Sequence, residues 1–156
     1  MEGVQIVKYF VLKSNLKWYN GNDQLLLCRY SESGSQKEVV ALDNCIFCKI
    51  INGEIPSKVA YEDEHVFAFH DINPVAPVHI LIVPRSHIST LNDLGPEQKV
   101  LLGHMALVCK ELARQYNVDE KGYRFVINCG EDGGQEVQHL HAHLLGGRPL
   151  GDVATG

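Results

Sequence analysis

The chain has 156 residues, 45% hydrophobic and 21% charged, enough for one globular domain with a real core, or one domain and an appendage. A formal net charge of −5 and a pI near 5.9 exclude an electrostatic case for binding nucleic acid polymers, though not for a small anion held by local backbone donors. Five cysteines, no secretory signal pattern and no long apolar span predict reduced thiols, a cytoplasmic setting and no membrane partner.

Residues 1–44 read as an N-terminal extension. Val4–Lys13 and Gln24–Tyr30 flank Asn20-Gly-Asn-Asp23, the pattern of a β-hairpin with a longer turn, and Ser31–Lys37 is linker-like in composition. A loosely packed extension fits the same residues. A transit peptide fits less well, given Glu2, Asp23 and the single arginine of this segment, Arg29.

Residues 45–156 read as the folded domain. Cys45–Asn52 predicts a short helix started by Asp43 or Asn44 and stopped by Gly53. Lys58–Glu62, Val66–Asp71 and His79–Pro84 predict strands separated by turn residues. Pro96–Tyr116 predicts one long helix, with Pro96 in its first turn and Leu101, Met105, Val108 and Leu112 on its buried face. Tyr123–Cys129 and Gln138–Leu145 supply two more strands. Five strands in hairpin succession with one long and one short helix give an α+β fold on an antiparallel sheet.

The last strand carries the chemistry. His139, His141 and His143 alternate with Leu140, Ala142 and Leu144, so on a strand the imidazoles share one face, roughly 7 Å apart at ~3.3 Å rise per residue. Imidazole serves as nucleophile, general acid or base, or metal ligand near neutral pH. The preceding loop, Asn128–Gln135, holds glycines at 130, 133 and 134, which let backbone N–H groups approach a phosphate. A plain surface loop would look the same; its direct run into the histidines favours the phosphate reading. Cys45 and Cys48 form a C-x-x-C whose thiolates suit zinc but need two further ligands. A thioredoxin-like role fits poorly without a βαβ context. Cys28, Cys109 and Cys129 read as ordinary thiols, and His65, His87 and His104 as surface or packing residues.

The run His139–Leu145 resembles the signature of the histidine triad (HIT) family, and the blocks around it are similar to its Hint branch of purine nucleoside phosphoramidases in bacterial form. Those blocks are Ile46–Ile51, Glu54–Pro56, Ala68–Pro74, Ala76–His79, Ile82–Pro84, His87–Ile88, Gly122–Arg124, Gly133–Val137 and Leu144–Leu150. The resemblance covers about two thirds of the chain and implies a HIT-like fold, with two sheets joined in a homodimer. It implies hydrolysis of AMP or GMP conjugates, AMP-lysine at its P–N bond and aminoacyl adenylates among them, through a covalent nucleotidyl-histidine.

The site residues follow from the resemblance by position. His141 is the nucleophile and His143 holds a phosphate oxygen, with Gln135, Asn128 and the loop residues Gly134, Glu136 and Val137 around the phosphate and ribose. Asp71 takes the ribose hydroxyls, and His70 is a weaker candidate for the ribose edge. Phe47, Ile50, Ile55, Phe69, Ile72 and Leu81 form the purine walls, although Phe47, Ile50, Ile72 and Leu81 fit a core equally well, and Asp71 equally caps a turn. The zinc ligands implied are Cys45, Cys48, His79 and His139; without metal, His79 and His139 would support the catalytic ring instead. The short tail Gly151–Gly156 departs from the longer family tail that reaches a partner's site.

Rival readings are dinucleoside polyphosphate hydrolysis, as in the Fhit branch, a metal hydrolase using all three histidines, and a non-catalytic nucleotide- or zinc-binding module. A uridylyltransferase role is disfavoured, because that branch has glutamine where this chain has His143.

Overall fold

In the computed structural model, the residues described are 44–152 together with the two short segments Trp18–Tyr19 and Leu25–Leu26. The chain divides into two compact units, Met1–Gln36 and Lys37–Gly156. In the first, β1 (Trp18–Tyr19) pairs antiparallel with β2 (Leu25–Leu26) across residues 20–24. Asn20–Asp23, where a turn is expected, and the expected strand Val4–Lys13 both lie outside the described residues.

The second unit opens with α1 (Ile46–Ile51). Cys45, not Asp43 or Asn44, stands at its N-cap, with no side-chain hydrogen bond there. The helix ends at Asn52 because Gly53 takes φ +76°, a backbone state that glycine adopts without strain. Then come β3 (Val59–Glu62), β4 (Val66–His70), β5 (Val78–Pro84), the helix α2 (Lys99–Gln115), β6 (Tyr123–Ile127) and β7 (Ala142–Gly146). Pro96 starts a 3₁₀ turn, Pro96–Gln98, that leads into α2. The strands form one antiparallel sheet in the order β3-β4-β5-β7-β6, which is the α+β architecture expected.

Side-chain alternation gives the sheet two different faces. Val66, Ala68, Ile80, Ile82, Ala142 and Leu144 point to one, where Met105, Val108, Cys109, Leu112 and Ala113 of α2 cover them. Leu101 joins at the edge of that core, so the expected helix stripe holds. Phe67, Phe69, Leu81 and Val83 point to the other face and meet Cys45 and Phe47 around α1. Burying a side chain of this size is worth roughly 1.5–3 kcal/mol, so both faces contribute to stability. Position 143 falls on the α1 side, opposite Leu81 on β5 and Val126 on β6.

Candidate active site

The histidine run is only partly a strand. His143 lies in β7, but His139 and His141 precede it, where Leu140 donates its backbone N–H to the Ile88 oxygen. The three rings therefore do not form the evenly spaced row expected of a strand. The His141 and His143 rings lie 5.1 Å apart at 68° to each other, while His139 turns toward the cysteines.

Hydrogen bonding divides the labour among the imidazoles. A carbonyl oxygen only accepts, so the His141 contact with the main-chain oxygen of His139 at 2.6 Å requires a proton on His141 Nδ1. In the neutral ring Nε2 then carries a free lone pair. His139 likewise donates from Nε2 to the Pro84 oxygen at 2.9 Å, which leaves its Nδ1 as a bare lone pair. His79 receives the Val75 backbone N–H at Nδ1, 3.3 Å away, and so carries its own proton on Nε2. That proton faces His143 Nδ1 at 2.9 Å. The proton of His143 accordingly sits on Nε2, an atom buried and without a hydrogen-bond partner among the described residues. A buried donor left unpaired costs about 1–3 kcal/mol, so this N–H is suited to an acceptor from outside the described residues, such as a bound ligand.

Burial keeps the His139 and His143 rings neutral. It lowers both His139 and His143 to about 4; the nearby His87 and His141 add to the effect on His139, and His141 and His79 to that on His143. His79 is lowered too, by burial, with Asp71 opposing. One oxygen of Asp71 accepts the Asn73 backbone N–H at 2.7 Å, the turn cap that the sequence also allows. The other lies 3.5 Å from His79 Nε2.

Two expected contacts change. His70 falls on the α2 side of the sheet by strand parity and bonds Tyr116 at 2.8 Å, away from the triad. Gln135 is buried and its amide is occupied: Nε2 donates to the Ser89 and Val137 oxygens, and Oε1 accepts from Gly130 N–H. It braces the glycine loop and offers no free donor. Gly133 is required there for room, because a Cβ at that position would lie 2.3 Å from the Cys129 oxygen. Asn128 reaches the Gly134 oxygen at 3.5 Å, while Gly134 and Glu136 are exposed and Val137 packs by the α1 core. Phe47 meets His141 edge-on at 5.2 Å, Ile50 lies beside it on α1, and Ile72 is 91% exposed.

The four expected metal ligands do not all come together. Cys45, Cys48, His87 and His139 bring one ligand atom each within 4.8 Å of one another, a set that can hold a metal ion. His79 is not among them; it clusters with Asp71 and His143. The antiparallel pairing explains this. His79 opens β5 opposite Leu145, whereas His87 follows the far end of β5, where His139 enters from the other side. His87 Nδ1 lies 3.3 Å from Cys48 Sγ, and His139 Nδ1 lies 3.4 Å and 3.6 Å from the two sulfurs. The bare lone pair on His139 fits a cation. Burial, together with hydrogen bonding and charge repulsion from Cys45, pushes the Cys48 thiol up to about 11, a penalty that a bound cation reverses. Among the other described cysteines, buried Cys109 is pushed up to about 12 and belongs to the core. His104 pairs with Asp63 at 2.6 Å, and His65 is exposed beside Glu64. No helix among the described residues is long and apolar enough to cross a membrane.

Residues 52–150 match the HIT domain family. The chain is 51% identical to a purine nucleoside phosphoramidase of Escherichia coli K12 over 111 residues, which is 71% of this chain and 93% of the relative. Among solved structures it is similar to a HIT family hydrolase of Legionella pneumophila, at 49% identity and TM-score 0.68 over 69% of this chain and 96% of that one. A histidine triad protein of Clostridium difficile is 50% identical, with TM-score 0.68 over 69% and 94% of the two chains.

Proposed function

The chain belongs to the HIT domain family and is a hydrolase, and on that premise we propose that it cleaves the P–N bond of purine nucleoside 5′-phosphoramidates through a covalent nucleotidyl-histidine. The observation that carries this reading is the pairing of a bare Nε2 on His141 with a buried, unpartnered Nε2–H on His143. One atom attacks and the other receives negative charge.

In the proposed reaction, His141 Nε2 attacks the α-phosphorus, the P–N bond breaks, and the amine departs with a proton taken from solvent, which the water of the second step returns. Water then adds to phosphorus, releasing the nucleoside monophosphate and the free imidazole. His143 Nε2–H binds the non-bridging oxygen whose charge grows in the transition state, a type of donor whose removal costs about 100- to 1000-fold in rate. His79 acts through His143 by fixing its proton on the atom that faces substrate. The oxygen of Asp71 not used in the turn cap takes the ribose hydroxyls, and Phe47, Ile50 and exposed Ile72 flank the base. The glycine loop braced by Gln135 supplies backbone donors.

We assign zinc to Cys45, Cys48, His87 and His139, a four-ligand set of structural type that fastens α1 to the sheet and leaves His141 free. Residues 45–156 form the catalytic domain in this reading. It works as a homodimer, for which the edge strand β6 and the exposed Val100 and Leu107 of α2 are the available surfaces. Turnover of adenosine 5′-phosphoramidate by the full chain, compared with a dinucleoside polyphosphate, tests the substrate class. A preference for the dinucleotide would reject it.

A further inference from the structure

We infer that the Cys45–Cys48–His87–His139 cluster, when it holds its ion, positions the nucleophile His141 in addition to fastening α1. The inference rests on the reading of His141 as nucleophile given above. Two separate routes join the cluster to that ring.

The first runs through a single residue. The His139 side chain is fully buried, with Nδ1 toward the two sulfurs and Nε2–H on the Pro84 oxygen, so both ring nitrogens are committed. The main-chain oxygen of the same residue receives the His141 Nδ1–H at 2.6 Å. A ligand whose ring is fixed at both nitrogens restrains its own peptide, and that peptide's oxygen selects the His141 tautomer that bares Nε2.

The second route runs through α1. Cys45 and Cys48 bracket Phe47, whose ring meets His139 edge-on at 5.9 Å and His141 at 5.2 Å. Six residues without a side-chain N-cap make a helix that cannot persist alone, so what holds it to the sheet also holds Phe47 against the nucleophile. Among the described residues, the contacts fixing its polar side are the two thiols on His87 and His139. Thiols are weak donors, and metal ligation replaces weak contacts with strong ones. Asp71, His79 and His143 lie on other elements and form a separate group. Loosening the cluster therefore disturbs attack most, while nucleotide binding loses only the share that Phe47 and Ile50 of α1 contribute.

The test uses the full chain loaded with zinc(II), the same chain after chelation, and Cys48→Ser prepared metal-free. Nitrogen-15 NMR of the histidine rings reports the His141 tautomer, single-turnover kinetics the attack, and calorimetry the affinity for AMP. We expect one Nδ1–H tautomer in the loaded chain. In both metal-free forms we expect mixed tautomers and attack slowed about 10- to 100-fold, the range typical of losing a support to a reactive group, with AMP affinity, which also draws on Phe47 and Ile50, falling less than the rate does. Val108→Ala, lying in the α2 core, serves as a variant of lowered stability that should keep both tautomer and rate. A metal-free chain with an unchanged tautomer and rate but a lower melting temperature would reduce the cluster to a fastener and overturn the inference. So would a chain that binds no zinc. If the loaded chain ignores phosphoramidates, the substrate reading fails, and the tautomer measurement still decides the link.

Discussion

His141 donates its Nδ1–H to the main-chain oxygen of His139 at 2.6 Å, so two histidines of one short run act as a pair in which the first orients the second. The side chain of His139 turns away from the site, toward Cys45 and Cys48. A repeated residue type thus falls in two clusters, one able to hold an ion and one around the bare His141 Nε2 proposed to attack.

His79 should matter through His143 alone. His79→Ala frees the His143 proton to sit on either nitrogen and is expected to lower kcat about 10- to 100-fold. His79→Gln, which keeps an N–H directed at His143 Nδ1, should recover part of that loss. Steady-state kinetics on a nucleoside phosphoramidate checks both, and a full-rate His79→Ala would remove His79 from the account.

The corrected ligand set makes opposite predictions for two histidines. His87→Ala should lose tightly bound zinc, while His79→Ala should retain it, as measured by metal analysis after dialysis. The reverse pattern would restore His79 to the metal centre.

Acid should unfold this domain early. The His143 ring is held near 4 when folded but titrates at about 6.5 when unfolded, so between those values the unfolded chain binds protons that the native chain refuses. Stability is therefore complete above roughly pH 6.5 and falls as pH drops toward 4. At about 1.4 kcal/mol per pH unit, this ring removes roughly 3 kcal/mol over that window, and His139 acts in the same direction. Urea titrations across the window read the loss directly. A flat profile would contradict the neutral, buried rings.

The glycine loop should tolerate no side chain at its centre. Gly133→Ala places a Cβ 2.3 Å from the Cys129 oxygen, a clash with backbone that only loop rearrangement relieves. We expect weaker AMP binding, by about tenfold or more, and lower thermal stability, by a few kcal/mol at most. Wild-type AMP affinity in this variant would remove the loop from the phosphate site.

Much of this was legible in the sequence because local rules decide it. Strand alternation, the α2 stripe and the stop at Gly53 each depend on neighbours within a few residues, and each appears as expected within small shifts of boundary. Errors arose where distant chain segments decide. The cluster of Cys45, Cys48 and His139 takes in His87 where the resemblance points to His79, because membership depends on which end of β5 faces the start of β7. His70, a weaker candidate for the ribose edge, is sent by strand parity to the α2 side, where it bonds Tyr116. Gln135 looked like a free donor, since nothing local reveals that the Ser89 and Val137 carbonyls claim its amide. The strand reading of residues 138–141 failed because the Ile88 oxygen and the cysteine pair claim this stretch before β7 begins.

The central claim is that His141 attacks phosphorus and carries the nucleotide. Acid quenching during the first turnover of adenosine 5′-phosphoramidate, followed by peptide mass spectrometry, tests it most directly. The account predicts an adenylate on His141, formed and lost at rates consistent with turnover, and absent in His141→Ala, which should still bind AMP. Turnover at full rate in His141→Ala, or an adduct on His139 or His143 instead, would contradict it.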